Sequence, residues 1–347
     1  MPIILNYFQL KLCENKSTMN DFLNTPLTIG SFTLNNRLIQ GPLAGYSCAP
    51  FRKLFSLFFV PAYCVSEMLS AQDVLHKHTI QDRYLLRAKE EKALCYQIAG
   101  NEPNIMAAAA QKLELLGANL IDINCGCPKT KIRKKGAGSA LLERPDQLIK
   151  IVTAVRRAIG IPLTIKIRLQ ENSKQDIELV KRLTNVGADA IIIHGRRWYD
   201  TYDTPCDLNR IGLIKKATDI PLIVNGDLKD KHTILKALKN TGCDAFMIAR
   251  AGSGKPWLFQ EIINDTSIKL DKNQLNNLFM IHLTGLAELE NEHKAVLQSR
   301  SLIRYYFRNQ ISSEQLSLFY QLNTLKEVEF FLIKNSYEHE VAVSPQF

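Results

Sequence analysis

The chain has 347 residues, 46% of them hydrophobic, and a formal net charge of +10, which leaves room for one large domain and a small second one. No apolar run approaches the length needed to span a bilayer, and the interrupted apolar patch at Met1–Leu12 is followed by no small-residue cleavage site, so neither a membrane protein nor an exported one is expected. Eight irregularly spaced cysteines suit a reducing compartment rather than a disulfide framework, and a cytoplasmic location is expected.

The cationic excess lies in the first three quarters of the chain, since from Thr266 onward 8 Lys and Arg face 9 Asp and Glu. A separate basic tail is thereby excluded, and the polyanionic partner that the charge suggests would meet the body of the protein.

Residues 1–25 are set apart as an N-terminal extension, with Met19 an alternative start, and Pro26–Asn36 reads as a hairpin turning at Gly30-Ser31. Eight short apolar runs then recur at Leu38–Gln40, Ala62–Val65, Ala93–Ile98, Leu120–Ile123, Leu163–Ile167, Ala190–Ile193, Leu222–Val224 and Ala245–Ile248. Between them lie stretches such as Asn104–Leu116 and Pro145–Ile159, whose apolar residues repeat at three and four and which stop at Gly117 and Gly160. Eight alternating units predict an α/β fold, a (β/α)8 TIM barrel over 26–261, rather than an open doubly wound sheet. The open sheet would also want a phosphate-binding turn after its first strand, and Gly41–Gly45 has the wrong glycine spacing and a proline in the way. Beyond Trp257 the period is helical only, at Leu275–Leu289, His293–Phe307 and Asn323–Ile333, so a small C-terminal all-α helical domain is expected over 262–340.

In such a barrel the working face is formed by the C-terminal ends of the strands. There the sequence places Pro42, Leu43 and Ala44, then Gln97, Asn124 with Cys127, Lys166 and Arg168, His194, the triplet Asn225, Gly226 and Asp227, and Arg250. The seventh and eighth runs end in VNGD and IARAGSGKPW, where Gly226, Gly252 and Gly254 allow close backbone approach and Arg250 supplies charge. That is the pattern of a phosphate site, so a phosphate-bearing cofactor is expected there.

The stretch Leu120–Leu142 carries the most chemistry. A lone thiol is more often a buried core cysteine, but Gly126 and Pro128 turn the chain out of its strand and put Cys127 in a loop. Cys125 beside it lacks the further ligands of a tetrahedral site, so no metal is expected. Five cations follow at Lys129, Lys131, Arg133, Lys134 and Lys135, and Arg196-Arg197-Trp198-Tyr199 extends the loop after the sixth run. Either charge run alone reads equally well as a solvated face; two beside one mouth, one of them interleaved with aromatics, favour RNA or a nucleotide. In the helical part Arg300, Arg304 and Arg308 recur every fourth residue and share one helix face, suited to a phosphate backbone.

Taken in order from about Leu27 to Trp257, the motifs GPLAGYSCAPFR, VSEM, YQIAG, DINCGCPKTKIRKKGAGSALL, LTIKIR, IIHGR, VNGD and MIARAGSGKPWLF resemble the tRNA-dihydrouridine synthases, in particular their bacterial B subgroup. The resemblance implies FMN at the barrel mouth. Pro42, Leu43 and Ala44 would line its isoalloxazine through their backbone, Gln97 and Lys166 would bond the ring edge, and His194 would sit beside it. Asn225, Gly226, Asp227, Ala249 and Arg250 would take the ribityl and phosphate end. Cys127 would be the general acid, protonating carbon 5 of a uracil that receives hydride at carbon 6, with Asn124 and Arg168 on the uracil edge. Lys131, Lys135, Arg196, Arg300, Arg304 and Arg308 would contact tRNA, NADPH or NADH would be the reductant, and the protein would be a monomer.

Six residues depart from that pattern. Ser47-Cys48 stands where the family usually has Thr-Asp, Cys125 replaces a larger apolar residue, Ala249 replaces a glycine, and Ser301-Leu302 replaces a Lys-His pair. Two rival readings stay open on the sequence. One is a flavin barrel acting on a free pyrimidine, as in a dihydroorotate dehydrogenase, and the other a non-catalytic RNA-binding protein.

Overall fold

The structure is a computed structural model that describes residues 22–308 and 310–337; the N-terminal extension before Phe22, with Met19, and the final stretch 338–347 lie outside the described residues. The apolar runs form the strands. After a hairpin, β1 (Leu27–Ile29) and β2 (Phe32–Leu34), come β3 (Leu38–Gln40), β4 (Cys64–Ser70), β5 (Leu94–Ala99), β6 (Leu120–Cys125), β7 (Leu163–Leu169), β8 (Ala190–Arg197), β9 (Leu222–Asn225) and β10 (Ala245–Ile248). These last eight are parallel and close into a barrel in the order β10-β3-β4-β5-β6-β7-β8-β9.

Strands covered on both faces have to be apolar on both. Along β6, Leu120 joins an inner cluster with Ile192, Ile223 and Met247, whereas Ile121, Ile123 and Cys125 pack outward against the helices. Because side chains alternate, Asp122 and Asn124 share the inner face with Leu120, and Cys125 is core. The helices bury one stripe each: in Pro145–Ala158 this is Leu148, Ile151, Val152 and Val155, with proline in the first turn. Each such aliphatic contributes about 1.5–3 kcal/mol on full burial.

Ile29 and Leu34 of the hairpin join the inner cluster, so β1 and β2 stopper the barrel at the N-terminal ends of its strands. Only the opposite end is left to open. The second barrel strand is longer than Ala62–Val65 because it continues to Ser70 through a register shift between Val65 and Met68. The polar Ser66 and Glu67 concealed that continuation.

Four helices, α10 (Lys272–Leu289), α11 (Glu292–Tyr306), α12 (Ser313–Phe319) and α13 (Leu325–Tyr337), make up the C-terminal region; α9 (Leu258–Asn264) before them runs across the boundary expected between 261 and 262. They dock on α1 (Ala49–Lys53), where a Cβ on Gly285 would meet Pro50 at 3.1 Å and the Phe51 and His282 rings lie 6.0 Å apart. The end of α11 packs on the loop after β10: a side chain at Gly254 would run into the Tyr305 backbone.

Candidate active site

Asn124, the last inward residue of β6, shapes the loop that presents the thiol. Its Oδ1 accepts from the backbone amides of Gly126 at 3.2 Å and Cys127 at 2.9 Å, while its Nδ2 donates to Gln97 Oε1 at 2.8 Å. Gln97 Nε2 donates to Asp122 Oδ2 at 2.7 Å, and Thr164 Oγ1 donates to the other oxygen of Asp122 at 2.7 Å. A continuous hydrogen-bonded chain of this kind in a low-dielectric interior is rigid. Cys127 itself is half-buried on the rim, with its carbonyl accepting from Ser139 N at 3.0 Å. Gln97 is 1% exposed and Asn124 8%; of these residues, expected at a ring edge and a uracil edge, Asn124 spends both oxygen lone pairs on the loop and Gln97 spends half its side-chain bonds on holding Asn124 and Asp122. Each keeps one amide hydrogen that bonds no residue among those described.

Across the mouth Lys166 Nζ donates to Asn225 Oδ1 at 2.9 Å, and Asn225 Nδ2 donates to Met247 O at 2.8 Å. Burial pushes the Lys166 ammonium down and the Asp122 carboxyl up, each charge opposing the other's shift. Arg168 lies beside the Gly126 turn, donates to Arg197 O at 2.7 Å and is 5% exposed. His194 is pushed down to about 2 by burial and by Lys166, Arg168, Arg196 and Arg250 around it. Arg196 Nη1 donates to His194 Nε2 at 3.2 Å; a guanidinium can only donate, so Nδ1 carries the imidazole proton.

Arg196 departs from its expected place. It is 2% exposed and bonds Thr204 O, Tyr202 O and both oxygens of Asp227, at 2.7 and 2.9 Å, so it braces the mouth from inside and offers nothing to RNA. Asp227, expected at a cofactor's phosphate end, is its partner. Burial works the other way, yet Arg196 holds that carboxyl below its ordinary value. The pair keeps Asp227 in the left-handed region at φ 53, a conformation that costs on the order of 1–3 kcal/mol. Gly226 beside it, at φ +111, has no room for a Cβ, which would strike Cys206 Sγ and His194. The glycines of the last two loops therefore have a packing reason as well: Gly254 is the seat of α11, and Gly252 makes way for Gln40.

The remaining expected residues ring the opening. Pro42, Leu43 and Ala44 are half to fully exposed on the loop after β3, and Leu43 N is taken by Ser47 Oγ at 2.9 Å, so the serine in place of threonine supports this loop. Ala249 is half-buried, and Arg250 is exposed with its guanidinium 3.7 Å above the Tyr202 ring. Lys131 and Lys135 are exposed; among the described residues neither has a carboxylate partner. Arg133, by contrast, is bound to Glu143 and lies 3.6 Å over the Trp198 ring, which braces the thiol loop against the loop after β8. Arg300, Arg304 and Arg308 do share one groove, of about 700 Å³, with Tyr46, Tyr305 and Tyr320, but Arg300 donates to Leu322 O and Arg308 to Ser253 O.

Asp122, Glu67, Arg83 and Tyr202 were not singled out in the sequence. Asp122 and Glu67 are carboxylates inside apolar strands, an expensive placement that signals a partner; nothing local marks Arg83 or Tyr202. The charges around His194 are cationic, from Lys166, Arg168, Arg196 and Arg250, of which only Arg196 is paired with a carboxylate among the described residues, and this excess fits an anionic phosphate-bearing group such as the expected flavin.

A model of the family described as Dihydrouridine synthase (Dus) matches residues 39–339 and so includes the C-terminal helices. Proteins named tRNA-dihydrouridine synthase B are similar to the chain. The one from Vibrio vulnificus (strain CMCP6) is 35% identical over 289 residues, 81% of this chain and 89% of the relative. The one from Pseudomonas aeruginosa (strain PAO1) is 36% identical over 285 residues, 80% of this chain and 86% of the relative. Among solved structures, an old yellow enzyme homologue from Zymomonas mobilis superposes with TM-score 0.51 and 14% identity over 72% of this chain and 94% of its own. A histamine dehydrogenase from Rhizobium sp. 4-9 does so with TM-score 0.55 and 15% identity over 76% of this chain and 51% of its own. At that identity the likeness is one of fold.

Proposed function

The chain belongs to the dihydrouridine synthase family, and from that premise we propose that it reduces the 5,6 double bond of a uridine in tRNA, with FMN bound at the barrel mouth and NADPH as the reductant. Lys166, His194, Asn225 and Arg250 would hold the cofactor, with the loop Pro42–Ala44 beside its ring. When bound, a flavin supplies hydride to carbon 6 of the base. The chain's own residues do the rest. The Asn124 turn holds the Cys127 thiol at the rim, where its proton is delivered to carbon 5 as charge develops there. The cations of the mouth favour the anionic groups, and the hairpin plug keeps the lower end of the barrel dry. Since a base inside a stack cannot reach this site, the uridine enters flipped out. We place this activity in the cytoplasm of a bacterial cell, carried by a monomer; no helix among the described residues is long and apolar enough to cross a membrane.

The observation that supports this reading is the Asn124 fork, which fixes the backbone of the turn carrying Cys127 at the end of β6, beside Arg168, on the barrel end where Lys166 and His194 also lie. The test uses purified protein and tRNA lacking dihydrouridine. The protein should be yellow and bleach with NADPH, and Cys127→Ala should keep both properties while losing uridine reduction at least 100-fold, the range of acid catalysis. Unchanged turnover in Cys127→Ala removes the thiol from the mechanism, and a colourless protein that takes up no FMN removes the activity. A barrel acting on a free pyrimidine has no need of an exposed cationic rim; tRNA binding that weakens steeply with salt separates the two.

A further inference from the structure

Beside the mouth, on the thiol side, lies a groove of about 550 Å³ between the ends of β4 and β5, α2 (Ala71–His76) and the lysine loop that follows Cys127. That volume is ordinary for a small-molecule site. One wall is the Tyr84 ring, whose centroid lies 4.5 Å from the His78 imidazole and whose hydroxyl makes no hydrogen bond among the described residues. The lip carries Lys129, Lys131 and Lys135, all exposed and, among the described residues, without carboxylate partners. Of the carboxylates lining the groove, Asp73 is bound to Lys77 at 2.6 Å and Glu102 is exposed at the start of the next helix. The groove wall packs next to the residue that bears the thiol: a Cβ at Gly138 would meet Ile132 in that wall and, on the Cys127 side, the carbonyl oxygen and Cβ of Cys127.

We propose that this groove is a subsite for the nucleotide next to the uridine being reduced, its base against Tyr84 and its phosphate on Lys129, Lys131 and Lys135. The inference rests on the function proposed above and adds where the rest of the RNA goes. Flipping one base out deprives its neighbour of a stacking partner, and the neighbour is tethered to the flipped uridine through a phosphodiester. An aromatic wall with a cationic lip, one loop away from the acid, replaces that stacking partner and takes that phosphate. A nicotinamide dinucleotide has similar chemistry but no tether to the base beneath Cys127, so the lysines of the thiol loop favour RNA.

The experiment uses the flavin-loaded full-length protein, NADPH and tRNA lacking dihydrouridine. Gln72→Trp fills the groove from an exposed position on α2, and Tyr84→Leu removes the stacking face. Both should raise KM for tRNA about tenfold, the scale of one lost base–aromatic stack, while flavin bleaching by NADPH proceeds at the parent rate. Ultraviolet irradiation of the unaltered complex should cross-link the Tyr84 peptide to the nucleotide adjoining the modified uridine, which decides the matter if a variant folds poorly. An unchanged KM for tRNA in both variants, a raised KM for NADPH instead, or a cross-link to a distant nucleotide each overturns the assignment. Failure of the unaltered protein to reduce uridine would show earlier, before any variant is compared, and would take the proposed function with it.

Discussion

The guanidinium of Arg83 donates to the Glu290 carboxylate across 2.8 Å and so ties the helical region to the rim of the barrel. The same side chain donates to Glu67 at 2.7 Å and to Gly45 O at 2.9 Å, and Glu67 in turn accepts from Gly45 N at 2.6 Å. The loop that would lie along the flavin is therefore hung between β4 and the end of α10.

Arg83→Met should leave Glu67, 4% exposed, without its cation and destabilise the fold by about 3–5 kcal/mol. Urea unfolding reads this as a lowered midpoint. Arg83→Lys should recover only part of it, because one ammonium cannot reach three partners in the geometry of a planar fork. Equal midpoints for Arg83→Met and the parent would mean the clamp is idle.

His194 makes the fold acid-sensitive. Its folded pKa, about 2, lies below the unfolded value near 6.5, so the unfolded chain binds one more proton between these limits. Stability from the neutral ring is complete above about pH 6.5 and falls by about 1.4 kcal/mol per pH unit below it. On flavin-free protein, where no phosphate offsets the cations, unfolding free energy should drop more steeply with acid in the parent than in His194→Gln. His282, pushed down to about 3 by burial, acts alike in both. Parallel curves would contradict the burial and charge argument.

Asp122→Leu removes the acceptor shared by two donors, Gln97 Nε2 and Thr164 Oγ1. Gln97 turns toward another acceptor, Asn124 loses its partner and the thiol loop shifts. A misplacement on the order of 1 Å costs about 100-fold in rate, and it should fall on uridine reduction, with flavin reduction by NADPH slowed much less. Rapid-mixing kinetics of the two half-reactions distinguish them; equal slowing of both would mean the network serves the cofactor instead.

Gly226→Ala combines backbone strain with a collision against Cys206 and His194. FMN affinity should fall about tenfold, measured by fluorescence on titration. Gly242→Ala is the control: φ is +62 there with nothing within 4 Å, far from the mouth at the end of α8 (Lys231–Thr241). It should cost the backbone strain alone, on the order of 1 kcal/mol, and leave FMN binding unaltered. Loss of FMN in both, or in neither, would dissociate Gly226 from the cofactor.

The barrel was legible because a strand buried on both faces must be apolar along its length, a property of neighbouring residues, and eight such runs can be counted. The thiol loop was legible for a similar reason, since Gly126 and Pro128 act locally. Even Arg196 left a trace: alternation along β8 puts Ala190, Ile192 and His194 inside, and the arginine two residues on follows them, whereas Arg197 beside it stays near the surface.

Chain order by itself determined which residues line the open end of the barrel, because strand period and turn chemistry act over a few residues. Only the closed tertiary structure decided which of those cations are free and which are spent. Arg83 finds Glu67 and Glu290, Arg196 finds Asp227, and Arg133 finds Trp198 across gaps that no periodicity spans. A charge's availability depends on the partner that folding brings within hydrogen-bonding distance, and that partner is set by barrel closure.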